Sequence, residues 1–331
     1  MRLGIGWNIS HPVSKIAELA SRSEEFGFES FWLHENPMLG DGFASLILAC
    51  RKTARIRIGI ACTSVITRHP VMIAASAVTL QNESDGRFVL GLCLGGFPWL
   101  PLINYPVQPV KETRPLRRIV EAASIIRSLV NGEAAVVPGT FYSVKGFRLM
   151  ARASKPIPIY IGALGPKTLR LAPRIFDGVV TSPGVLTPLD VRRLVGWVEE
   201  GEKNGRKVEK LAYILSSVSG DEPEAYAAVK RDPFFIYQLS EVVPEESLEH
   251  YGVKLDKLPE IREAWRRRDI ASAASLISDD MVATLTASGR KEDAINKIEE
   301  YSQTGADTLI ITPVGNVETV LKTFGPIASS Q

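Results

Sequence analysis

Three short stretches of this chain hold residue types that can do chemistry. His34-Glu35-Asn36 closes an apolar run and sets an imidazole, a carboxyl and an amide side by side. Glu35, at a strand end, is the candidate acid or base; its alternative is a surface carboxylate in a loop. Gly162-Ala163-Leu164-Gly165-Pro166-Lys167-Thr168 follows another apolar run and opens a helix. Its glycines let the backbone turn with amides pointing inward, proline suits a first helical turn, and a helix N-terminus favours an anion. Lys167 and Thr168 add a charge and a hydroxyl. The chemistry would be a phosphate cradle; on its own the segment reads as an ordinary strand-to-helix corner. The third stretch pairs two strand ends, Ala61-Cys62-Thr63-Ser64 and Cys93-Leu94-Gly95-Gly96, whose residues are mostly small, polar or glycine. A flat aromatic cofactor can approach such backbone closely.

Other chemistries find little support. His11, His69 and His250 have no partner histidine or cysteine at metal-ligand spacing, so no metal is assigned. No Ser-His-Asp order with a nucleophile elbow occurs, which argues against a hydrolase. A net charge of +2 and a pI near 8.4 are too mild to argue for nucleic acid or a membrane surface. Arg266-Arg267-Arg268 reads as a solvated helix face. Cys50, Cys62 and Cys93 lie in apolar surroundings without paired spacing, as thiols of a reducing compartment do. The first residues form a strand rather than a signal peptide, and no apolar run reaches the ~20 residues of a membrane helix. A cytoplasmic protein acting on a small molecule is expected.

The elements that must position these residues follow a regular rhythm. Strands are predicted at Arg2 to Asn8, Glu29 to Leu33, Ile56 to Ser64, Arg87 to Cys93, Ile157 to Ile161, Gly178 to Thr181, Lys210 to Ser219 and Thr308 to Thr312. Helical patterns separate them, beginning with Pro12 to Phe26, Phe43 to Thr53 and Val71 to Leu80. Strands that are apolar with little alternation belong to parallel sheets covered by helices. Eight such strands fit a (β/α)8 TIM barrel, an α/β fold. An open doubly wound sheet would call for a glycine-rich turn after the first strand, and none is there. A proline-rich loop, Phe97 to Pro109, and a hairpin, Ala134 to Gly146, interrupt the rhythm. The stretch 221–280 is helical with no strand of its own, an insertion between strands seven and eight. The whole chain, 1–331, reads as a single domain. Helices two and three are apolar over more than one face, which predicts a homodimer or higher homo-oligomer.

Thr67-Arg68-His69-Pro70, Ala75, Thr79-Leu80, Ser84-Asp85-Gly86-Arg87 and Leu90-Gly91-Leu92 resemble the bacterial luciferase-like superfamily. That superfamily includes FMN monooxygenases and reductases that use the deazaflavin coenzyme F420. A second block, Pro158 to Pro166 followed by Asp177-Gly178, is most similar to archaeal methylenetetrahydromethanopterin reductase. The likeness runs from Gly4-Ile5 to Gly305-Ala306-Asp307. It implies an F420-dependent oxidoreductase that moves a hydride between the deazaflavin and a small organic substrate. The alternatives are an FMN-dependent monooxygenase and a barrel that only binds a flavin-like ligand.

The resemblance also favours the phosphate cradle at Gly162 to Thr168. It implies a bulge behind the cofactor ring, with a cis peptide that falls on Ala61-Cys62. The family commonly has an acidic residue followed by His near the substrate; here Glu35 precedes Asn36, and the His is displaced to position 34. The reductase has acids at the places matching Gly6 and Gly96, where this chain has none, which puts the pterin reaction in doubt. Trp7 or Trp99 is the expected filler of the vacated room. Trp7 and Asn8 are candidate pocket residues, with a core position the alternative for Trp7. Arg68 is expected to pair with a carboxylate.

Overall fold

The structure, a computed structural model, describes residues 1–8, 12–36, 39–95 and 114–329. Gly96, Trp99, His11, the stretch from Phe97 to Pro109 and the side chain of Asn8 lie outside the described residues.

Eight parallel strands close into a barrel. They are β1 (Arg2–Asn8), β2 (Ser30–His34), β3 (Arg57–Ser64), β4 (Phe88–Cys93), β7 (Ile159–Gly162), β8 (Gly178–Gly184), β9 (Glu209–Ser216) and β10 (Thr308–Pro313). Their order around the barrel is β1-β10-β9-β8-β7-β4-β3-β2. The predicted strands are all present, with ends shifted by at most three residues. The expected hairpin is the antiparallel pair β5 (Ala135–Pro138) and β6 (Ser143–Phe147). Outside the barrel lie α1 (Val13–Glu25), α2 (Gly42–Lys52), α3 (Pro70–Glu83), α4 (Pro115–Val130), α5 (Pro166–Ile175) and α6 (Pro188–Glu202). Four of these carry proline in the first turn, where a missing N–H costs nothing. Caps fix several starts: Asp41 accepts from the Ala44 amide at 3.1 Å, and Thr187 and Asp190 form a capping box on α6.

Two apolar layers share the barrel wall. Outward-facing residues such as Ile5, Leu33, Ile58 and Leu90 pack under the helices. Inward-facing Trp32, Ala61, Val89, Tyr160, Val180, Leu211, Tyr213 and Ile310 fill the interior. Large side chains there need glycine opposite: a Cβ on Gly59 would lie 2.1 Å from Trp32. The N-terminal end of the interior is closed by ions. Arg57 bonds Glu209 at 3.0 Å, Glu29 at 2.9 Å and the Tyr160 hydroxyl at 2.9 Å, and Thr308 donates to Glu209. Burial works against the Glu209 charge, but Arg57 and Tyr160 outweigh it and hold the carboxyl below its usual range.

Six helices follow β9: α7 (Glu222–Lys230), α8 (Pro233–Glu241), α9 (Glu245–His250), α10 (Leu258–Arg266), α11 (Ile270–Leu276) and α12 (Asp279–Leu285). They bury Phe235, Ile236, Leu239, Ile261 and Met281 among themselves, and the same cluster takes in Val185 and Leu215 from the barrel side. The excursion is thus seated on the barrel by shared apolar contacts. The chain returns through α13 (Lys291–Ser302) to β10 and ends in α14 (Val317–Ser329).

Candidate active site

The C-terminal strand ends gather the candidate residues, as parallel topology requires. His34 is the last residue of β2, and Glu35 and Asn36 follow it. Neighbouring residues leave a strand in opposite directions, so His34 and Glu35 do not converge. Glu35 turns toward β3, where the Thr63 hydroxyl donates to its Oε2. Arg68 donates to Oε1 at 3.1 Å and to Asp41 at 2.8 Å, and its guanidinium lies 4.8 Å over the Phe43 ring. Arg68 therefore ties the corners after β2 and β3 together, and the expected carboxylate pairing is present twice. Glu35 is buried rather than a surface carboxylate. Its burial raises the carboxyl above the usual range, against the lowering by Thr63 and Arg68. Such a group holds a proton more readily than a free glutamate. Asn36 starts a turn, its carbonyl accepting from the Leu39 and Gly40 amides.

His34 points inward instead. Its ring stacks on Tyr213 of β9 at 4.4 Å and on Phe234 of α8 at 6.0 Å. Burial pushes its imidazole down to about 4, so the ring is neutral near pH 7.

The Ala61–Cys62 peptide is cis, at the place the resemblance implies. The β3–β4 register shifts between Ile60 and Thr63, so the strand bulges there. Ala61, Thr63 and Ser64 are buried; Cys62 is the member of the four with partial exposure. The Thr63 hydroxyl is spent on Glu35 and that of Ser64 on the Leu94 carbonyl at 2.7 Å. Cys62 occupies a slot made by two glycines: its sulfur lies 2.7 Å from where a Gly162 Cβ would stand and 3.2 Å from that of Gly91. Gly95 follows β4 with φ +77°, a left-handed turn that glycine adopts freely.

Beside this slot, Gly162 leads into α5. Gly165 is the N-cap; among the described residues no side chain caps the helix, and a Cβ on Gly165 would meet nothing within 4 Å. The first turn of α5 therefore faces open space, with Leu164, Gly165 and Lys167 exposed and Ala163 and Thr168 half-buried. An uncapped helix N-terminus with a lysine beside it suits a phosphate. Cradle and slot share Gly162.

The profile of the luciferase-like monooxygenase family matches residues 5–308. The chain belongs to that family. It is an oxidoreductase, as its named relatives are. It is 30% identical over 320 residues to 5,10-methylenetetrahydromethanopterin reductase of Methanopyrus kandleri, covering 91% of this chain and 90% of that one. It is 33% identical over 264 residues to the F420-dependent glucose-6-phosphate dehydrogenase of Nakamurella multipartita, covering 70% of this chain and 76% of that one. The solved structure of the F420-dependent tetrahydromethanopterin reductase from Methanopyrus kandleri superposes with a TM-score of 0.88 at 26% identity, covering 98% and 97% of the two chains.

Within this luciferase-like barrel Trp7 does not fill the room at Gly6, and Trp99 lies outside the described residues. Trp7, on an odd position of β1, belongs to the core under the helices. The Gly6 position is met instead by Tyr213 at 2.6 Å, Thr312 at 2.9 Å and Ile310 at 3.0 Å. Tyr213, Thr312 and Phe234 were not among the sequence candidates. Tyr213 sits mid-strand in an apolar run, and nothing local marks it as facing the barrel mouth.

Proposed function

We propose that this protein is a coenzyme F420-dependent oxidoreductase that transfers a hydride between the deazaflavin and a small organic substrate. The full-length similarity to a reductase of that cofactor class carries the choice over FMN. The uncapped α5 start beside the Cys62 slot supports a phosphate and a flat ring held side by side. The bound deazaflavin would supply a two-electron hydride at its ring carbon. The chain's own residues do the rest. The corner from Gly162 to Thr168 holds the phosphate through the amides of Leu164, Gly165 and Lys167 and the Lys167 ammonium, the Ala163 and Thr168 amides being bonded to the Val180 and Gly165 carbonyls. Ala61 to Ser64, with Gly95, back the ring. Glu35 holds or releases a proton at its carboxyl oxygens, tuned by burial and restrained by Arg68. His34 and Asn36 orient the substrate from the same corner. We read 1–331 as one domain, the protein as cytoplasmic on the strength of its unpaired thiols, and the working form as a homodimer through α2 and α3.

Absorbance titration of the purified protein with F420 and with FMN tests the reading. Tighter binding of F420 is expected, and Glu35→Gln should keep that binding while lowering turnover. Tighter FMN binding would move the protein to the monooxygenase branch. Binding of neither would leave a barrel without this cofactor class.

A further inference from the structure

Three hydrogen-bonding atoms in the upper barrel interior have no partner among the described residues: the Tyr213 hydroxyl, the Thr312 hydroxyl and His34 Nε2. They come from three strands, β9, β10 and β2. Tyr213 and Thr312 both reach the Gly6 position, and the His34 ring stacks on Tyr213 at 4.4 Å. Other buried polar atoms without partners occur, such as Ser30 Oγ and Trp32 Nε1 deeper in the barrel. This group differs in clustering directly under the barrel mouth. Buried polar groups are normally satisfied, so a cluster left open marks a place kept for a partner from outside the chain.

The cluster's chemistry restricts that partner. All three groups are neutral: a phenol, an alcohol and an imidazole that burial keeps uncharged. Arg68, the cation at the β2 and β3 ends, is committed to Glu35 and Asp41. A buried anion without a counter-charge is disfavoured, whereas a neutral oxygen can accept from the phenol and the alcohol without desolvating a charge.

We propose that Tyr213, with Thr312 and His34, forms the subsite that receives the neutral oxygen of a carbonyl or alcohol group on the substrate, and excludes a carboxylate there. Tyr213 is the residue that determines this preference. The proposal rests on the F420-dependent reading and names the substrate chemistry that reading leaves open.

The test uses the full-length protein in three steps. F420 binding is titrated first; its failure counts against the proposed function and not against the subsite. The F420 complex is then titrated with butan-2-one, propanamide and propanoate, which share one acyl group, following deazaflavin fluorescence. The two neutral probes should bind the wild type at least 10-fold more tightly than propanoate. Tyr213→Phe should remove at least 10-fold of that affinity. Thermal unfolding without ligand gives the third readout. Tyr213→Phe deletes a hydroxyl that has no partner, so its melting temperature should equal or exceed the wild type. Tyr160→Phe, which breaks bonds to Arg57 and Glu209 at the other end of the barrel, should melt lower and leave probe binding unchanged. Equal affinity of wild type and Tyr213→Phe for the neutral probes overturns the proposal. So does tighter binding of propanoate, or a flat titration with both neutral probes. Loss of melting temperature in Tyr213→Phe without loss of probe affinity shows a packing role and overturns it as well.

Discussion

Replacing Gly162 with alanine probes the floor of the site. The new Cβ would stand 2.7 Å from the Cys62 sulfur and 3.8 Å from the Cys93 Cβ. Comfortable contact between such atoms is about 3.5–4.0 Å, so the sulfur would have to move by roughly 1 Å. It has little room, because Gly91 lies against the same sulfur from β4. Overpacking of this kind costs about 1–3 kcal/mol. At ~2.1 cal/mol/K per residue, a chain of 331 residues unfolds with an entropy of about 0.7 kcal/mol/K, so the melting temperature should fall by roughly 1.5–4 °C. Cys62→Ala removes the colliding atom, and the double variant should recover most of the loss in a thermal-melt cycle. Gly91→Ala is the control. Its Cβ would meet the Ile60 carbonyl at 2.6 Å and the Ala61 Cα at 3.1 Å, which are backbone and cannot be relieved by trimming Cys62. A Gly162→Ala protein that melts with the wild type, or a Gly91→Ala protein rescued by Cys62→Ala, would refute the two-glycine slot.

Two further outcomes are expected. The folded-state pKa of His34 is depressed to about 4 from 6.5, so its contribution to stability is complete above pH 6.5 and lost as pH falls toward 4. From that shift the loss is about 2 kcal/mol by pH 5, offset in part because the raised Glu35 carboxyl takes up its proton earlier in the folded state; urea unfolding at pH 7 and pH 5 should show the drop in the wild type and a smaller one in His34→Phe. Leu48 of α2 and Met72 of α3 are 44% and 56% exposed, a cost that a two-fold partner would relieve; light scattering should give a dimer, and Leu48→Glu with Met72→Glu a monomer, while a wild-type monomer at micromolar concentration would refute the assignment.

The barrel was legible because parallel strands announce themselves as short apolar runs between helical patterns, and glycine or proline marks their ends. The corner at Gly162 to Thr168 was legible for the same reason: glycine and proline there have one good structural use. The direction in which each candidate points was not. His34 and Glu35 are neighbours in sequence, yet one enters the barrel and the other turns to Thr63 and Arg68, because a strand sends successive side chains to opposite faces. Trp7 illustrates the same parity. Its even-numbered neighbour Gly6 faces the interior, so Trp7 packs under the helices and cannot fill the space that Gly6 leaves. Tyr213 takes that space from a strand some two hundred residues away, and only closure of the barrel brings β9 near β1 through β10.

The two inward-facing tyrosines show how the barrel divides its labour. The Tyr160 hydroxyl, at the N-terminal end, is bonded to Arg57 and Glu209, within a network that also joins Arg2, Glu29 and Thr308. Its bonds to Arg57 and Glu209 tie β7 to β3 and β9, a contribution to stability. The Tyr213 hydroxyl, toward the C-terminal end, has none among the described residues, and neither Thr312 nor His34 supplies one. Had the mouth been selected for stability alone, phenylalanine at 213 and valine at 312 would fill the same volume without leaving polar atoms unpaired. Parallel barrels place their chemistry at the C-terminal strand ends, and it is at that end that the interior keeps its hydrogen-bonding capacity uncommitted. Hydrogen bonding is thus committed where Arg57 closes the barrel and left uncommitted around Tyr213, where the proposed subsite lies.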